Sequence, residues 1–399
     1  MRAFLLGCVF ALAALTQPTR IAAATEAETA AVEDAVPHQI SQTDRTIVEH
    51  IRLLFRLQDA SANGDRHAVE GQQAELAEIR DLLAARPEGD AGSLAALVAG
   101  FVLSGGDPAL ADKLAAADGL PPTMRALLEG SALFMSGKQD EARKSLAGLN
   151  PDLLPDGIAG RVLLAQALLA EDSAKRQQFL SGALSAMPGS LIEESALRRS
   201  ALAYLEDGNI GSTLKRLMRY QRRFGRSIFA GSFERTIVRK LVEKEAAGLH
   251  LADEMFDGFL NELPMVDRRN LLLALTQDAA ALNLVPRTEF ARRRLKRLAV
   301  PGSEEDQIAD LYGAIFAIAG PQASRAVEIL RALDRSRLPQ AEQALLAAGL
   351  AVGAEIERPI KRMTLDDAAN QEASPTAELE KKVEAQIEAA DSALVGLTQ

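Results

Sequence analysis

Few residues in this 399-residue chain have the type and spacing that catalysis needs. The strongest candidate is Glu194 followed by Ser195, because a carboxyl group at such a position could protonate a glycosidic oxygen as a general acid. There is no glycine-rich phosphate loop and no serine nucleophile elbow. The four histidines are isolated and lack metal-ligand spacing; they are His38, His50, His67 and His250. We therefore expect no catalytic residue, no metal and no cofactor.

The segment from Leu191 to Ser195 is similar to the Glu-Ser pair of lytic transglycosylases, which also carry helical solenoids. In that family a glycine- and methionine-rich loop follows the pair, and this chain lacks it. Glu194 also falls at the expected start of a helix, where acidic side chains interact favourably with the helix dipole. We therefore expect a structural carboxylate here, with a cell-wall enzyme or its regulatory solenoid as the alternative.

Positive charge is concentrated in one stretch, KRLMRYQRRFGRSIFAGSFERTIVRK, from Lys215 to Lys240. It holds nine Lys or Arg residues and one acid, Glu234, in a chain whose formal net charge is −10. Six of these like charges would repel each other on one helix face, and an acidic ligand or partner would relieve that repulsion. Anionic lipid head groups, a cell-wall polymer and an acidic protein segment are the candidates. The alternative is a solvated helix face whose charges pair with acids of a neighbouring unit, where each pair contributes only about 0–1 kcal/mol.

A helix from Ile210 to Arg226, with successive residues 100° apart, separates these side chains into two faces. The face expected to pack on the core consists of Ile210, Leu214, Leu217, Met218 and Phe224. The opposite, cationic face consists of Lys215, Arg216, Arg219, Arg222, Arg223 and Arg226. We predict that this face binds a partner, together with the flanking Phe229 and Phe233, for which a place in the core is the alternative. A second basic cluster, 292–297, indicates another positive surface.

Composition and turns predict the fold. The chain has no Trp and three Tyr, and it is rich in strong helix formers such as Ala and Leu. Turns recur at separations of about 32 to 42 residues, the period of stacked helix–turn–helix units. These turns are 63–65, 104–106, 136–138, 171–172, 206–209, 247–248, 282–283 and 320–321. We predict an all-α, tetratricopeptide-like helical-repeat solenoid over 43–362, with an irregular helical domain as the alternative.

The amino terminus has the features of an export signal. Residues 1–24 begin with Arg2, continue in a short apolar run and end in small residues, so cleavage is expected near Ala24. The only cysteine, Cys8, lies in this segment, and a mature chain without cysteine suits an oxidising compartment. Lipid attachment at Cys8 is the alternative, but the apolar run continues past it. We expect an exported protein that does not span the membrane, and in a Gram-negative cell that means the periplasm.

Three further segments complete the predicted organisation. Residues 25–42 are expected to form a flexible leader and 363–376 a polar linker. Residues 377–397 are predicted to form an amphipathic helix that either docks on a partner or caps the solenoid.

Nucleic acid is excluded as a partner by export, by net acidity and by the lack of interleaved stacking aromatics.

Three segments together resemble the periplasmic motility (chemotaxis) protein family MotC. They are 193–199, 204–208 and the basic stretch through 233–235. The resemblance extends over roughly Gln39 to Arg362 and is most specific between Glu193 and Lys240. It implies an exported, α-helical, non-enzymatic accessory of the flagellar motor. Such a protein would bind the periplasmic part of the stator protein MotB and would be required for motor rotation.

The resemblance also implies a dedicated periplasmic chaperone, MotE, as a further partner. It supplies no catalytic residue and no residue-level binding motif, so the predicted site depends on charge pattern alone. A generic periplasmic helical-repeat scaffold unrelated to motility is the remaining alternative.

Overall fold

The structure is a computed structural model that describes residues 41–87, 91–155, 157–358 and 381–385. Within these ranges the regular structure is helical, and no strand is present. The first nine helices are α1 (Gln42–Ala62), α2 (Ala68–Ala85), α3 (Ala95–Val102), α4 (Pro108–Ala115), α5 (Pro122–Met135), α6 (Gln139–Ala147), α7 (Ala159–Leu169), α8 (Ser173–Ala186) and α9 (Leu191–Glu206). The next eight are α10 (Ile210–Phe224), α11 (Ala230–Ala246), α12 (Asp253–Glu262), α13 (Met265–Ala281), α14 (Val285–Leu298), α15 (Glu304–Ala317), α16 (Ala323–Ala332) and α17 (Gln340–Ile356).

Consecutive helices pack as pairs, from α1 with α2 to α15 with α16, and α17 packs on the last pair. The pair of α11 and α12 is an exception, because α12 contacts α10 more closely than α11. Each of the eight turns predicted from the sequence lies at the junction between the two helices of a pair. The first helices of successive pairs also contact each other, as α11, α13 and α15 do. The all-α helical-repeat solenoid is therefore confirmed.

Side-chain caps fix where several helices begin. The Asp107 carboxylate accepts a hydrogen bond from the Ala109 amide at 2.9 Å, and Pro108 occupies the first position of α4. Asp172 accepts from the Lys175 amide at 2.7 Å and so starts α8. Such caps satisfy backbone N–H groups that have no partner within the helix, which is why Asp and Pro recur at these positions.

The apolar core follows the solenoid as three successive clusters. The first runs from α1 to α7 and the second from α7 to α15, with Ala62 of α1 joining the second. The third joins α15, α16 and α17 through fully buried side chains such as Ile308 and Val327. Burial of one such aliphatic side chain contributes about 1.5–3 kcal/mol. Because each cluster joins side chains of several pairs, contacts with neighbouring pairs stabilise each pair.

Helix α1 departs from a simple repeat stack, in which a unit contacts only its neighbours. Arg161 of α7 is 3% exposed, and its guanidinium donates to the Gln58 side chain at 3.0 Å. The same guanidinium lies 3.7 Å from the centre of the Phe55 ring. Helix α1 therefore packs across the repeat array and reaches the fourth helix pair.

The carboxyl end of α1 reaches still further along the chain. Asp59 accepts a hydrogen bond from the Leu191 amide at the start of α9, at 2.9 Å. The Ser61 carbonyl accepts from the Ile228 amide in the turn between α10 and α11, at 3.4 Å. The first pair is thus attached to the fifth and sixth pairs, an arrangement that repeat spacing alone does not predict.

Most of the predicted end segments lie outside the described residues. This holds for the export signal 1–24, for the linker 363–376 and for the leader up to residue 40. Helix α1 begins at Gln42, one residue earlier than the predicted repeat domain. Of the predicted carboxyl-terminal helix only 381–385 is described, and it is helical with exposed side chains. None of the helices described between 41 and 385 is long and apolar enough to cross a bilayer.

Candidate functional site

The predicted site lies on α10, whose two faces are separated as the sequence indicated. Leu214, Leu217 and Phe224 are buried, and Ile210 and Met218 pack partly buried against the same core. Asn209 caps the helix by accepting from the Ser212 amide at 3.1 Å. The helix ends at Phe224, so Arg226 lies in the following turn and not on the predicted helix.

Two cations of the predicted face are held by one buried acid of the protein itself. Arg219 and Arg223 approach the Glu193 carboxylate at 2.7 and 2.9 Å, and the Glu193 side chain has no solvent exposure. Glu193 also accepts a hydrogen bond from the Gly189 amide at 2.7 Å. These two arginines therefore compensate a buried anion, and because both side chains stay partly exposed, their contact with a partner remains a prediction.

Glu194, the candidate general acid, is also fully buried, at 0% exposure. Its carboxylate accepts hydrogen bonds from the Arg198 guanidinium at 2.9 Å and from the Tyr220 hydroxyl at 2.7 Å. Burial and this negative neighbour raise the pKa of Tyr220, so its hydroxyl stays protonated and remains a donor. The Ser227 hydroxyl lies 3.4 Å away as a further donor. Glu194 thus ties α9 to α10 and to the turn after it.

The remaining cations of the face divide into partnered and unpartnered groups. Arg222 forms a bidentate ion pair with Glu262 of α12, in which its Nε and Nη2 atoms donate to the two carboxylate oxygens at 3.0 and 3.1 Å. Arg216 is half-buried, with its guanidinium 5.9 Å from the centre of the Tyr204 ring. Lys215 and Arg226 are exposed, and neither has an acidic side chain within ion-pair distance among the described residues. The available part of the predicted surface is therefore centred on Lys215 and Arg226.

The two flanking phenylalanines have different environments. Phe233 is 4% exposed and packs against the Tyr220 ring, with the ring centres 4.7 Å apart. Its side chain belongs to the core, which was the alternative, and leaves almost no surface for a partner to contact. Phe229 is half-buried and lies below the Arg198 guanidinium, 5.2 Å from it. Phe229 alone keeps surface that a partner could contact.

The second basic cluster, 292–297, is largely neutralised within the fold. Arg292 and Arg293 both pair with Glu289, at 2.6 and 2.8 Å. Arg294 pairs with Asp257 and lies 3.5 Å from the centre of the Phe290 ring. A further pair joins Lys296 to Asp306 at 2.6 Å. The pairs of Arg292 and Arg293 therefore lie within α14, and those of Arg294 and Lys296 link α14 to α12 and α15.

The described histidines do not form a metal site. His50 lies on α1 with its Nδ1 atom 2.7 Å from the Glu75 carboxylate of α2. No group of three or more His, Cys, Asp or Glu side chains in the described ranges could hold a metal ion. His38 lies outside those ranges.

Sequence reasoning missed that Glu193 and Glu194 anchor the basic helix. The available signal was Ser190 three residues before Glu193, which is the spacing of a capping box. Ser190 does cap α9, since its hydroxyl accepts from the Ile192 and Glu193 amides. The sequence therefore placed both acids in the first turn of α9, but not the arginines that pack against them.

Comparison with known proteins gives two matches. A family model described as "Chemotaxis protein MotC" matches residues 2–398. The chain is 30% identical over 331 residues to the chemotaxis protein MotC of Rhizobium meliloti (strain 1021). That alignment covers 77% of this chain and 72% of the relative. No solved structure matches.

Proposed function

The chain belongs to the chemotaxis protein MotC family, and we propose that it is an exported, non-enzymatic flagellar-motor accessory that binds the periplasmic part of MotB. Family membership makes it a motility-related protein. The finer proposal adds a compartment, a partner and a role in motor rotation. It also includes binding by a dedicated periplasmic chaperone, MotE.

The single observation that supports a protein-binding role is the pair of unpartnered cations on and after α10. Lys215 and Arg226 keep exposed charges, although the chain is acidic overall and the comparable cluster at 292–297 is largely paired internally. Binding an acidic or polar segment there would not break any described ion pair. Charges of this kind raise association rates and favour acidic partners.

Export is supported by the composition of residues 1–24 and by the location of Cys8 within them. The enzymatic alternative depended on Glu194, and no observation favours it, because that carboxylate is buried and accepts hydrogen bonds from its own fold. A non-enzymatic binding protein is the simpler proposal.

Deletion of the gene, with fractionation and capture experiments, tests this function. We expect the protein in the periplasmic fraction and capture of the purified periplasmic part of MotB. The deletion strain should lose swimming, and a plasmid-borne copy of the gene should restore it. Normal swimming in the deletion strain, with the gene shown to be expressed in the parent, would remove the motility role. Swimming defects without capture would instead remove MotB as the direct partner.

A further inference from the structure

Helix α11 presents an exposed polar face that no other described element covers. Its opposite face is buried, with Phe233, Ile237 and Leu241 in the core. The residues that line a shallow surface cleft on this face follow helical spacing, and all are exposed except the half-buried Lys240; they are Ser232, Arg235, Thr236, Arg239, Lys240 and Glu243. This cleft is distinct from the α10 surface described above.

The cations of this cleft have few acidic partners. Arg235 donates only to the Gly231 carbonyl of its own helix, at 3.2 Å. Neither Arg235 nor Lys240 forms an ion pair in the described part of the chain. Arg239 interacts electrostatically with Asp278 of α13, whose side chain is half-buried. Burial raises the pKa of Asp278, the positive charge of Arg239 lowers it, and the negative charge of Glu243 raises it. The Asp278 carboxylate therefore compensates part of the charge of Arg239.

The two hydroxyl groups of the cleft bond to the backbone and do not neutralise these cations. The Ser232 hydroxyl donates to the Phe229 carbonyl at 2.9 Å, and the Thr236 hydroxyl donates to the Ser232 carbonyl at 2.8 Å. The groups left for a ligand are therefore guanidinium and ammonium N–H donors, with the Glu243 carboxylate at the carboxyl-terminal end of the cleft. Such donors are best satisfied by carboxylates, which accept two parallel hydrogen bonds from one guanidinium.

The spacing of the cations indicates which carboxylates fit. Arg235 and Arg239 are four residues apart on one helix face, which corresponds to about 6 Å along the helix axis. Alternate side chains of an extended peptide lie on one side, about 6.5–7 Å apart. Acidic residues at every second position of an extended segment would therefore face the two arginines, with Lys240 beside them.

We propose that the exposed face of α11 binds an acidic, extended peptide segment of a partner protein. Arg235 and Arg239 each hold one carboxylate of that segment, and Lys240 adds long-range attraction. This inference concerns a different surface from the proposed MotB site and does not depend on it.

Fluorescence anisotropy of a labelled peptide of alternating Glu and Ser, added to the full chain, tests the proposal. The matching Lys-Ser peptide is the charge control. We expect saturable binding of the acidic peptide that weakens with salt, and no binding of the basic one. In the variant Arg235→Glu/Lys240→Glu, affinity should fall about tenfold or more, which corresponds to the loss of one charge-assisted hydrogen bond.

Two variants with the same change in charge separate site-specific binding from a general charge effect. Lys113→Glu/Arg325→Glu reverses exposed charges on α4 and α16 and should leave the affinity unchanged. Lys215→Glu/Arg226→Glu reverses charges at the α10 surface and should lower it by less than the α11 variant does. No binding to the wild-type chain, or an equal loss in all three variants, would overturn the proposal.

The chain's own leader is the other possible occupant, since 25–40 contains four acids and no Lys or Arg. A full-length variant that carries Glu26→Gln, Glu28→Gln, Glu33→Gln and Asp34→Asn distinguishes binding of the leader from binding of a partner segment. Unchanged peptide affinity in this variant supports an external partner. An increase of about tenfold would show that the leader occupies the cleft and would overturn binding of a partner segment.

Discussion

The Glu193 carboxylate on α9 lies 2.7 Å from the Arg219 guanidinium on α10, and the Glu193 side chain is fully buried. The acid needs a positive partner because burial of an unpaired carboxylate is costly. Arg223 supplies a second partner one helical turn later. Two of the cations on this face therefore stabilise the junction between α9 and α10, and Lys215 and Arg226 are the exposed cations without an ion pair among the described residues.

Replacing Glu193 with Gln should destabilise the protein. The change removes the anion that compensates Arg219 and Arg223, both of which are partly exposed and can rehydrate. We expect a loss of about 1–3 kcal/mol in the free energy of unfolding, measured by urea denaturation. Glu129→Gln, at an exposed position of α5, is the matched control and should change it by less than about 0.5 kcal/mol. Equal effects of the two substitutions would show that the buried pair has no structural role.

Removing the Tyr220 hydroxyl tests the second buried acid. Tyr220→Phe keeps the ring in the core but deletes the donor that lies 2.7 Å from the Glu194 carboxylate. The unfolding free energy should fall by about 1–2 kcal/mol. Tyr204→Phe removes the hydroxyl of a half-buried tyrosine and should have little effect. A Tyr220→Phe protein as stable as the Tyr204→Phe control would contradict the proposed role of this hydrogen bond.

Stability should also depend on pH through Glu234 of α11. Burial, with a smaller contribution from Asp267, raises the pKa of Glu234 from 4.5 to about 7. Between those two values the unfolded chain releases the proton while the folded chain keeps it. The folded state therefore binds more protons, so stability contributed by this group falls as the pH rises from about 4.5 to 7.

Glu234→Gln tests this dependence, because glutamine resembles the protonated acid at every pH. The variant should be more stable than the wild type at pH 8 and similar to it at pH 4.5, as judged by urea midpoints at both values. Glu129→Gln again serves as the control. The shift of its urea midpoint between pH 4.5 and pH 8 should equal that of the wild type. A constant offset between the Glu234→Gln variant and the wild type would show that Glu234 does not titrate in this range.

The contact between α1 and the α10–α11 turn depends on Gly64. This residue has a φ of +103°, and a Cβ atom there would lie 2.7 Å from the Arg226 carbonyl oxygen. Gly105 has a nearly identical φ of +102° but has open space around it. Gly105→Ala should therefore cost about 1 kcal/mol, from backbone strain alone.

Gly64→Ala should cost about 1–2 kcal/mol more than Gly105→Ala, because the close approach is lost as well. Thermal unfolding of both variants gives the comparison. Equal losses of stability would mean that α1 does not depend on this contact. Hydrogen exchange of the Ile228 amide, which donates to the Ser61 carbonyl, should increase in the Gly64→Ala variant only.

The repeat organisation could be predicted because each helix pair is specified locally. Turn residues, caps and apolar spacing all lie within one pair, so the eight turns followed from composition and period. The position of α1 could not be predicted, because its contacts with Arg161 and Leu191 join residues more than 100 positions apart. A single sequence contains no signal for such pairing.

The candidate site shows the same division between local and long-range information. The faces of α10 followed from helical periodicity, and the buried side chains confirmed them. Which arginines are free did not follow, because Glu193 and Glu262 come from other helices. The choice between the core and a surface for Phe233 stayed open for a related reason, since its contact with Tyr220 depends on how α10 and α11 pack.

The affinity of the purified full chain for the periplasmic part of MotB, measured at low and moderate salt, tests the central claim most directly. Lys215→Glu/Arg226→Glu should weaken binding about tenfold or more at low salt, with unchanged helicity by circular dichroism. The equally charged control Lys113→Glu/Arg325→Glu should bind like the wild type. Wild-type affinity of the Lys215→Glu/Arg226→Glu variant at both salt concentrations would contradict the account.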